Sequence, residues 1–380
     1  MDVETTKIIS VEATAVVVPL DVKTSMSTRT VTERHYVLVR IRSTDGVEGI
    51  GYTYAGSLGG PYVRDGVNDL LAPLLLGQSR WDIENLWAAM YQEILLIGRR
   101  GALLRAMSAV DIALHDAAAK AAGVSLANFL GGSRNVVPVY ASGGYYRDDD
   151  PLRSVANEIT HNKDLGFRDH KIKVGGLSVS EDAERVRVAC EHLEDGERLA
   201  LDANNAYKTA ADAIVAIRAF ERAARKRGQL WWFEEPLAPD DVQGHALIAA
   251  KVETPVATGE IHQTRWDFRH LLEKNAAAIL QHDAAVVGGI SEWRKISALA
   301  SAFGAQIAPH WHANLHVHLA AATPDCMVVE HFDLGKDIYN FERLLTEESR
   351  LAPTNGVVGV PDAPGLGIEF DEKAVKKFSQ

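Results

Sequence analysis

From Val136 onward one pattern recurs eight times: a short apolar run that ends on polar or glycine residues. The runs are VVPVYASGG (136–144), DHKIKVGG (169–176), RLALDANN (198–205), LWWFEEP (230–236), TPVATGE (254–260), AAAILQHD (276–283), AQIAPHWH (305–312) and CMVVEHF (326–332). Most intervals carry a helix-like stretch, such as SEDAERVRVACEHL (180–193) or TAADAIVAIRAFERAARK (209–226), with apolar residues recurring at three and four. Strands that alternate with helices pair in parallel through right-handed crossovers. Eight such units close into an α/β fold of the (β/α)8 type, a modified TIM barrel. This reading assigns residues 131–350 to a catalytic barrel.

The first 130 residues follow another rule. ISVEATAVVVPL (9–20), HYVLVRIRS (35–43) and VEGIGYTYAG (47–56) read as strands, with a turn at Thr44, Asp45 and Gly46. Helical patterns follow over 65–75, 81–97 and 103–122, the last ending at Gly123, a C-cap residue. Residues 1–130 are therefore expected to form an α+β capping domain. The tail 351–380, with its Pro and Gly turns and a strand-like GIEF (367–370), is expected to complete it.

Charge narrows the function classes. The net charge is -11 and the pI near 5.7, which argues against broad binding to nucleic acid or to an anionic membrane. A local cationic pocket for a small carboxylate is compatible with that sign. Cys190 and Cys326 are too few and too isolated for a disulfide framework or a zinc knuckle. MDVETTKIIS lacks the basic-then-apolar pattern of a signal peptide, and no apolar run reaches the roughly 18 residues of a membrane span. A soluble, cytoplasmic protein is expected.

Catalytic groups of such barrels stand at the C-terminal ends of the strands. Here those ends carry Lys171 and Lys173, Asp202, Glu234, Glu260, Asp283, His310 and Glu330. Side chains alternate along a strand, so Lys171 and Lys173 share a face. Four carboxylates on neighbouring strands repel one another unless a cation holds them. Asp202, Glu234 and Glu260 offer hard oxygen donors, which suit Mg²⁺ and match zinc poorly. Lys173 would act as a base, its pKa pushed down by Lys171 and the metal. Asp283 would orient His310 and support its protonated form, making a second acid/base group.

This ordered set resembles the enolase superfamily, in its mandelate racemase-like subgroup. The motifs are K-x-K in HKIKVGG, D-x-N in LDANN, E-E-P in WFEEPL, G-E in VATGEI, D-x4-G-G in HDAAVVGG, P-H in APHWH and the late Glu of MVVEHF. The resemblance implies that Asp202, Glu234 and Glu260 bind Mg²⁺, and that Lys173 and the His310–Asp283 pair are the acid/base catalysts. Glu330 would hydrogen-bond the substrate carboxylate or its enediolate, with Lys171 and Asn204 beside it. The implied reaction starts with loss of the proton α to a carboxylate. The expected enzyme is a lyase: an acid-sugar dehydratase that converts an aldonate or aldarate to a 2-keto-3-deoxy acid. A racemase or epimerase using the same Lys and His is the alternative. The subgroup places specificity in two capping loops, here around 24–35 and 52–60, with Arg29, Arg34 and Tyr54 as substrate contacts. Symmetric homo-oligomers are common among its members, which makes a homo-oligomer the expectation.

Other readings compete. His310, His312, His316 and His318 suggest a zinc metallohydrolase, but no cysteine or H-E-x-x-H accompanies them and VYASGG carries no H-x-H. A non-catalytic acid-binding scaffold does not require the full acid/base set. GSLGG and GLGIE lack the strand-to-helix context of a dinucleotide fingerprint and read as loops. The tryptophans of WWFEEP read as packing.

Overall fold

The computed structural model describes residues 6–147, 150–224 and 230–380. The first five residues of MDVETTKIIS and the last two of the helical stretch 209–226 lie outside them. Strands β1 (Ile8–Ser25), β2 (Thr30–Ser43) and β3 (Glu48–Tyr54) form an antiparallel meander. Alternation along β2 sorts its side chains to two cores. Val37, Val39 and Ile41 pack under the capping helices, whereas Tyr36 and Leu38 join the core shared with the barrel.

Helices α1 (Gly60–Asp65) and α2 (Ala72–Leu75) flank a π-helical turn over Gly66–Leu71, so the pattern over 65–75 is one interrupted helix. α3 (Ile83–Ile94) and α4 (Ala102–Ala122) follow, and Gly123 caps α4 in the left-handed region at φ 70°. Glycines let α4 lie directly on β3. A Cβ at Gly51 would sit 2.0 Å from the Ala109 carbonyl oxygen, and one at Gly49 would sit 2.1 Å from that of Ala113.

After α5 (Leu126–Phe129) the barrel begins. Its elements are β4 (Val136–Ser142), α6 (Pro151–Asp164), β5 (Asp169–Lys173), α7 (Val179–Glu191), β6 (Leu199–Asp202), α8 (Ala210–Ala223), β7 (Leu230–Glu234) and α9 (Val242–Ala249). They continue with β8 (Val256–Thr258), α10 (Thr264–Glu273), β9 (Ile279–Leu280), α11 (Gly289–Phe303), β10 (Gln306–Ile307), α12 (Ala313–Ala321) and β11 (Val329–His331). Consecutive strands from β4 to β10 pair in parallel, and β11 pairs with β4. A parallel bridge from Ile307 to Cys326, just ahead of β11, closes the ring. Among the described residues no helix is long and apolar enough to cross a membrane.

The eighth unit departs from the expected repeat. After β11 comes a 3-10 segment, Asp337–Leu344, in place of a barrel helix. Several of its polar groups bond to the cap: the Asn340 side chain accepts from the Tyr36 hydroxyl and donates to the Val18 carbonyl, and the Ile338 carbonyl accepts from Arg34. The tail then pairs β12 (Val357–Gly359) antiparallel to β4 and packs α13 (Glu372–Phe378) against β1. The GIEF stretch forms no strand. The Glu369 N–H donates to the Ser349 hydroxyl, and only Phe370 makes a bridge, to Leu345.

Strand β7 carries one extra residue. Leu199 pairs with Leu230, but Leu201 pairs with Phe233. Such a bulge breaks the alternation locally. Trp231 and Trp232 thus both belong to the cluster inside the ring, with Tyr140, Ala200, Ala257, Ile279, Ala308 and Val328. The bore beneath the strand ends is filled.

One buried acid in the 3-10 segment gives a stability prediction. Glu342 is 6% exposed, and burial pushes its carboxyl up to about 7, with Arg350 opposing. The folded state therefore holds this proton more tightly than the unfolded chain does. The resulting penalty is absent below the unfolded value, grows as pH rises through about 7 and is constant above it. Glu342→Gln is predicted to stabilise the protein by roughly 1–3 kcal/mol more at pH 8 than at pH 4.5. Urea midpoints at the two pH values test this, and an equal change at both would contradict it.

Candidate active site

Register aligns the first groups. Lys173 of β5 pairs with Asp202 of β6, and Asp202 pairs with Glu234 of β7, so the three stand level at the strand ends. Ile172 points outward to the helix-packed core, while Lys171 and Lys173 point into the ring and are almost fully buried. Lys171 Nζ lies 2.8 Å from Glu234 Oε1, 2.8 Å from Glu330 Oε1 and 3.7 Å from Asp202 Oδ2. Lys173 Nζ lies 2.5 Å from Asp202 Oδ2 and 4.8 Å from the centre of the Tyr145 ring.

The remaining oxygens are also spoken for. Trp232 Nε1 donates to Glu234 Oε2 at 2.9 Å, and the Asn204 N–H donates to Asp202 Oδ1 at 2.9 Å. The Trp311 N–H donates to Glu330 Oε2 at 2.6 Å. Trp311 (φ 70°), Asn204 (φ 45°) and Glu235 (φ 45°) all occupy the left-handed region, so backbone strain is concentrated around this rim. Glu235, the second Glu of the E-E-P motif, turns away from the cluster to accept from Asn205 Nδ2 and the Gly259 N–H.

One oxygen each from Asp202, Glu234 and Glu260 can be chosen so that all lie within 4.8 Å of one another. Among the described residues this is the only group of three or more His, Cys, Asp or Glu side chains close enough to share an ion. Burial and then the Asp202 charge push Glu234 up to about 8, and burial raises Glu260 as well. Against burial, Lys173 and Lys171 hold Asp202 down at about 2. Five carboxylates, counting Asp283 and Glu330, pair within the cluster with Lys171, Lys173, His310 and His316. The surplus is negative, and an all-oxygen donor set suits a hard divalent cation. The triad could hold such an ion.

On the opposite side, His310 Nδ1 is 3.1 Å from Asp283 Oδ2, while Nε2 is 3.6 Å from Glu260 Oε2. Burial opposes the imidazolium, but Glu260 and Asp283 outweigh it and raise His310 to about 9. His310 in turn helps hold Asp283 well below the usual carboxylate range against its burial. Asp283 is itself fixed by the Ala285 N–H at 2.8 Å.

Among the chain's own groups, burial and Lys171 lower the Lys173 pKa as argued, but Asp202 and Tyr145 outweigh them and raise it. The sequence argument counted Lys171 and the metal ion and left out Asp202, the closer anion. The four histidines do not converge. His312 Nδ1 meets the Tyr339 hydroxyl at 3.0 Å, His316 Nε2 accepts from the Ala284 N–H, and His318 bridges the Ala127 N–H and the Leu366 carbonyl. His316 Nε2 also lies 3.4 Å from Asp283 Oδ1, but of the four only His310 reaches the Asp202–Glu234–Glu260 triad, which removes the zinc reading.

A cavity of about 100 Å³ lies between this floor and the cap. Lys171, Lys173, Asn204, Glu260, His310 and Glu330 line it from the barrel; Arg29, Arg34 and Tyr54 line it from the cap. Arg105, Tyr145 and Trp311 also line it, and sequence reasoning missed all three. Trp311 follows His310 directly, which was the available signal. Arg105 sits in the amphipathic pattern of α4, which says nothing of a site. Two larger clefts, of about 350 and 260 Å³, lie away from the carboxylates and contain none of these groups.

Residues 8–131 match the mandelate racemase / muconate lactonizing enzyme N-terminal domain, and residues 154–374 match the enolase C-terminal domain-like family. The chain is 36% identical over 346 residues to the L-talarate/galactarate dehydratase of Salmonella typhimurium, covering 90% of this chain and 82% of that one. It is 35% identical over 356 residues to the D-galactarolactone cycloisomerase of Agrobacterium fabrum, covering 91% of each. Its structure is similar to that of a racemase from Streptomyces coelicolor A3(2) with bound magnesium, at a TM-score of 0.91 and 32% identity, covering 98% of this chain and 100% of that one.

Proposed function

The chain belongs to the mandelate racemase / muconate lactonizing enzyme family of the enolase superfamily, and from that premise we propose that it is a magnesium-dependent dehydratase of a sugar acid. The observation that carries the proposal is the triad of buried Asp202 and Glu234 with half-buried Glu260, set among Lys173 and the His310–Asp283 pair. Those three carboxylates would hold the ion, in a chain whose first 130 residues and tail 351–380 cap the barrel 131–350. Bound there, Mg²⁺ supplies Lewis-acid stabilisation of the negative charge that develops when a carboxylic acid loses its α proton.

The chain's own groups do the rest. Lys171, pinned between Glu234 and Glu330, places a positive charge beside the substrate carboxylate, and Glu330, held ionised by Lys171 and His310 against its burial, keeps that charge in position. Asn204, its backbone locked to Asp202, offers an amide at the same rim. Lys173 Nζ and His310 Nε2 form the acid/base pair, and Asp283 keeps the imidazole oriented by accepting at Nδ1. One of the pair takes the proton from Cα; the other gives a proton to the β-hydroxyl, which leaves as water. The resulting enol tautomerises to a 2-keto-3-deoxy acid. The acidic composition and the two buried free cysteines support small-molecule chemistry in a reducing, cytoplasmic setting.

The same first step supports a second reading. A racemase or epimerase would return the proton to the opposite face of Cα, and both a racemase and a cycloisomerase stand among the similar proteins. The deciding experiment mixes the protein and Mg²⁺ with a library of aldonates and aldarates in D₂O. 2-Keto acid formation is expected. Deuterium at Cα without keto acid would favour the racemase reading, and neither product across a broad library would defeat both.

A further inference from the structure

We propose that Arg34 receives a second carboxylate on the substrate, so that this site takes a diacid, an aldarate, in preference to the monoacid of equal length. This deepens the dehydratase reading and rests on it.

The argument starts from a missing partner. Arg34, Arg80 and Arg185 are the arginines that are almost wholly buried among the described residues. Arg80 has both terminal nitrogens on the Asp45 carboxylate, and Arg185 Nη1 lies 3.0 Å from Asp182 Oδ1. Arg34, 3% exposed, makes no ion pair with a described residue. Its Nε donates to the Ile338 carbonyl at 3.0 Å and its Nη1 to the Tyr54 hydroxyl at 3.1 Å. Nη2 is buried with no hydrogen-bond partner. Leaving a guanidinium nitrogen desolvated and unbonded is costly, and the cost is recovered when an anion arrives.

Position says where that anion comes from. Arg34 lines the same cavity as Lys173, Glu260 and His310. Its guanidinium lies 4.6 Å from the centre of the Trp311 ring and 5.4 Å from that of Tyr54, and His310 stacks on Trp311 at 5.5 Å. Two hydrogen bonds and two aromatic rings fix the fork before a ligand binds. On the barrel floor, Lys171 and Lys173 are already matched by protein carboxylates. Spare positive charge is therefore on the cap side, where half-buried Arg105 also makes no ion pair with a described residue and its Nη1 donates to the Tyr54 carbonyl. A monoacid places its single carboxylate at the floor and leaves Arg34 buried and unmatched. A diacid satisfies both ends.

The test compares six-carbon aldarates with aldonates of the same hydroxyl configuration, using the holoenzyme in Mg²⁺. Wild-type kcat/KM is expected to be ~100-fold higher for the best aldarate than for its aldonate. Arg34→Met should lower the aldarate value by ~100-fold more than the aldonate value, collapsing the ratio between them, with Arg34→Lys intermediate. Equal use of both substrates by wild type would overturn the proposal. So would an equal loss on both in Arg34→Met, the result expected of a purely structural residue or of one that holds the α-carboxylate. If Arg34→Met does not fold, the wild-type ratio and Arg34→Lys decide. If no acid is turned over or exchanged, the dehydratase reading fails; calorimetric affinities for aldarate and aldonate then still show whether Arg34 selects the second carboxylate.

Discussion

Glu260→Gln is expected to lower kcat/KM on the best sugar acid by at least ~10⁴-fold. It should also remove most of the rise in melting temperature that Mg²⁺ gives the wild type. Glu260 completes the oxygen triad from just beyond the end of β8, and it faces His310 Nε2 at 3.6 Å. The amide keeps the shape and one oxygen but loses the charge that opposes a divalent ion. A second, opposite sign separates this from misfolding. Burial and the neighbouring Asp202 charge raise the Glu260 carboxyl, so the metal-free variant should be no less stable than metal-free wild type. A variant that keeps both its activity and its magnesium response would remove Glu260 from the metal site.

Lys173→Ala and His310→Asn form the second large prediction. Each should lower turnover by ~10³-fold or more, because each removes one of only two groups placed to move a proton. Both variants should keep the thermal response to Mg²⁺, since neither residue belongs to the oxygen triad. Each should also retain slow α-deuterium exchange only on acids whose Cα–H faces the surviving group. Wild-type rates in both single variants would show that the acid/base assignment is wrong.

The groups legible in the sequence are those that geometry repeats. Strand ends recur at the close of apolar runs, so Asp202, Glu234 and Glu260 could be named from period and position alone. Lys171 and Lys173 followed from alternation. What stayed hidden depends on packing between distant elements. Arg105 reaches the cavity because Gly49 and Gly51 let α4 settle on β3, and no local pattern in α4 encodes that approach. The eighth helix was expected from the repeat, but several polar groups of Asp337–Leu344 bond to the cap instead. The pairing of Lys173 with Asp202 was left out of the sequence argument because Asp202 lies on another strand. The bulge in β7 is invisible as well: the two tryptophans read as packing, but a strict alternation would have put one of them outside the ring.

That extra residue has a bearing on traffic. With Trp231 and Trp232 filling the ring beneath the strand ends, passage to and from the cavity runs on the cap side rather than through the barrel. In the proposed reaction the departing water and the keto acid must both retreat along the route by which the substrate came in. The arginines and Tyr54 proposed to greet an arriving acid would then also stand over its exit, so a tighter welcome for the substrate slows the farewell to the product.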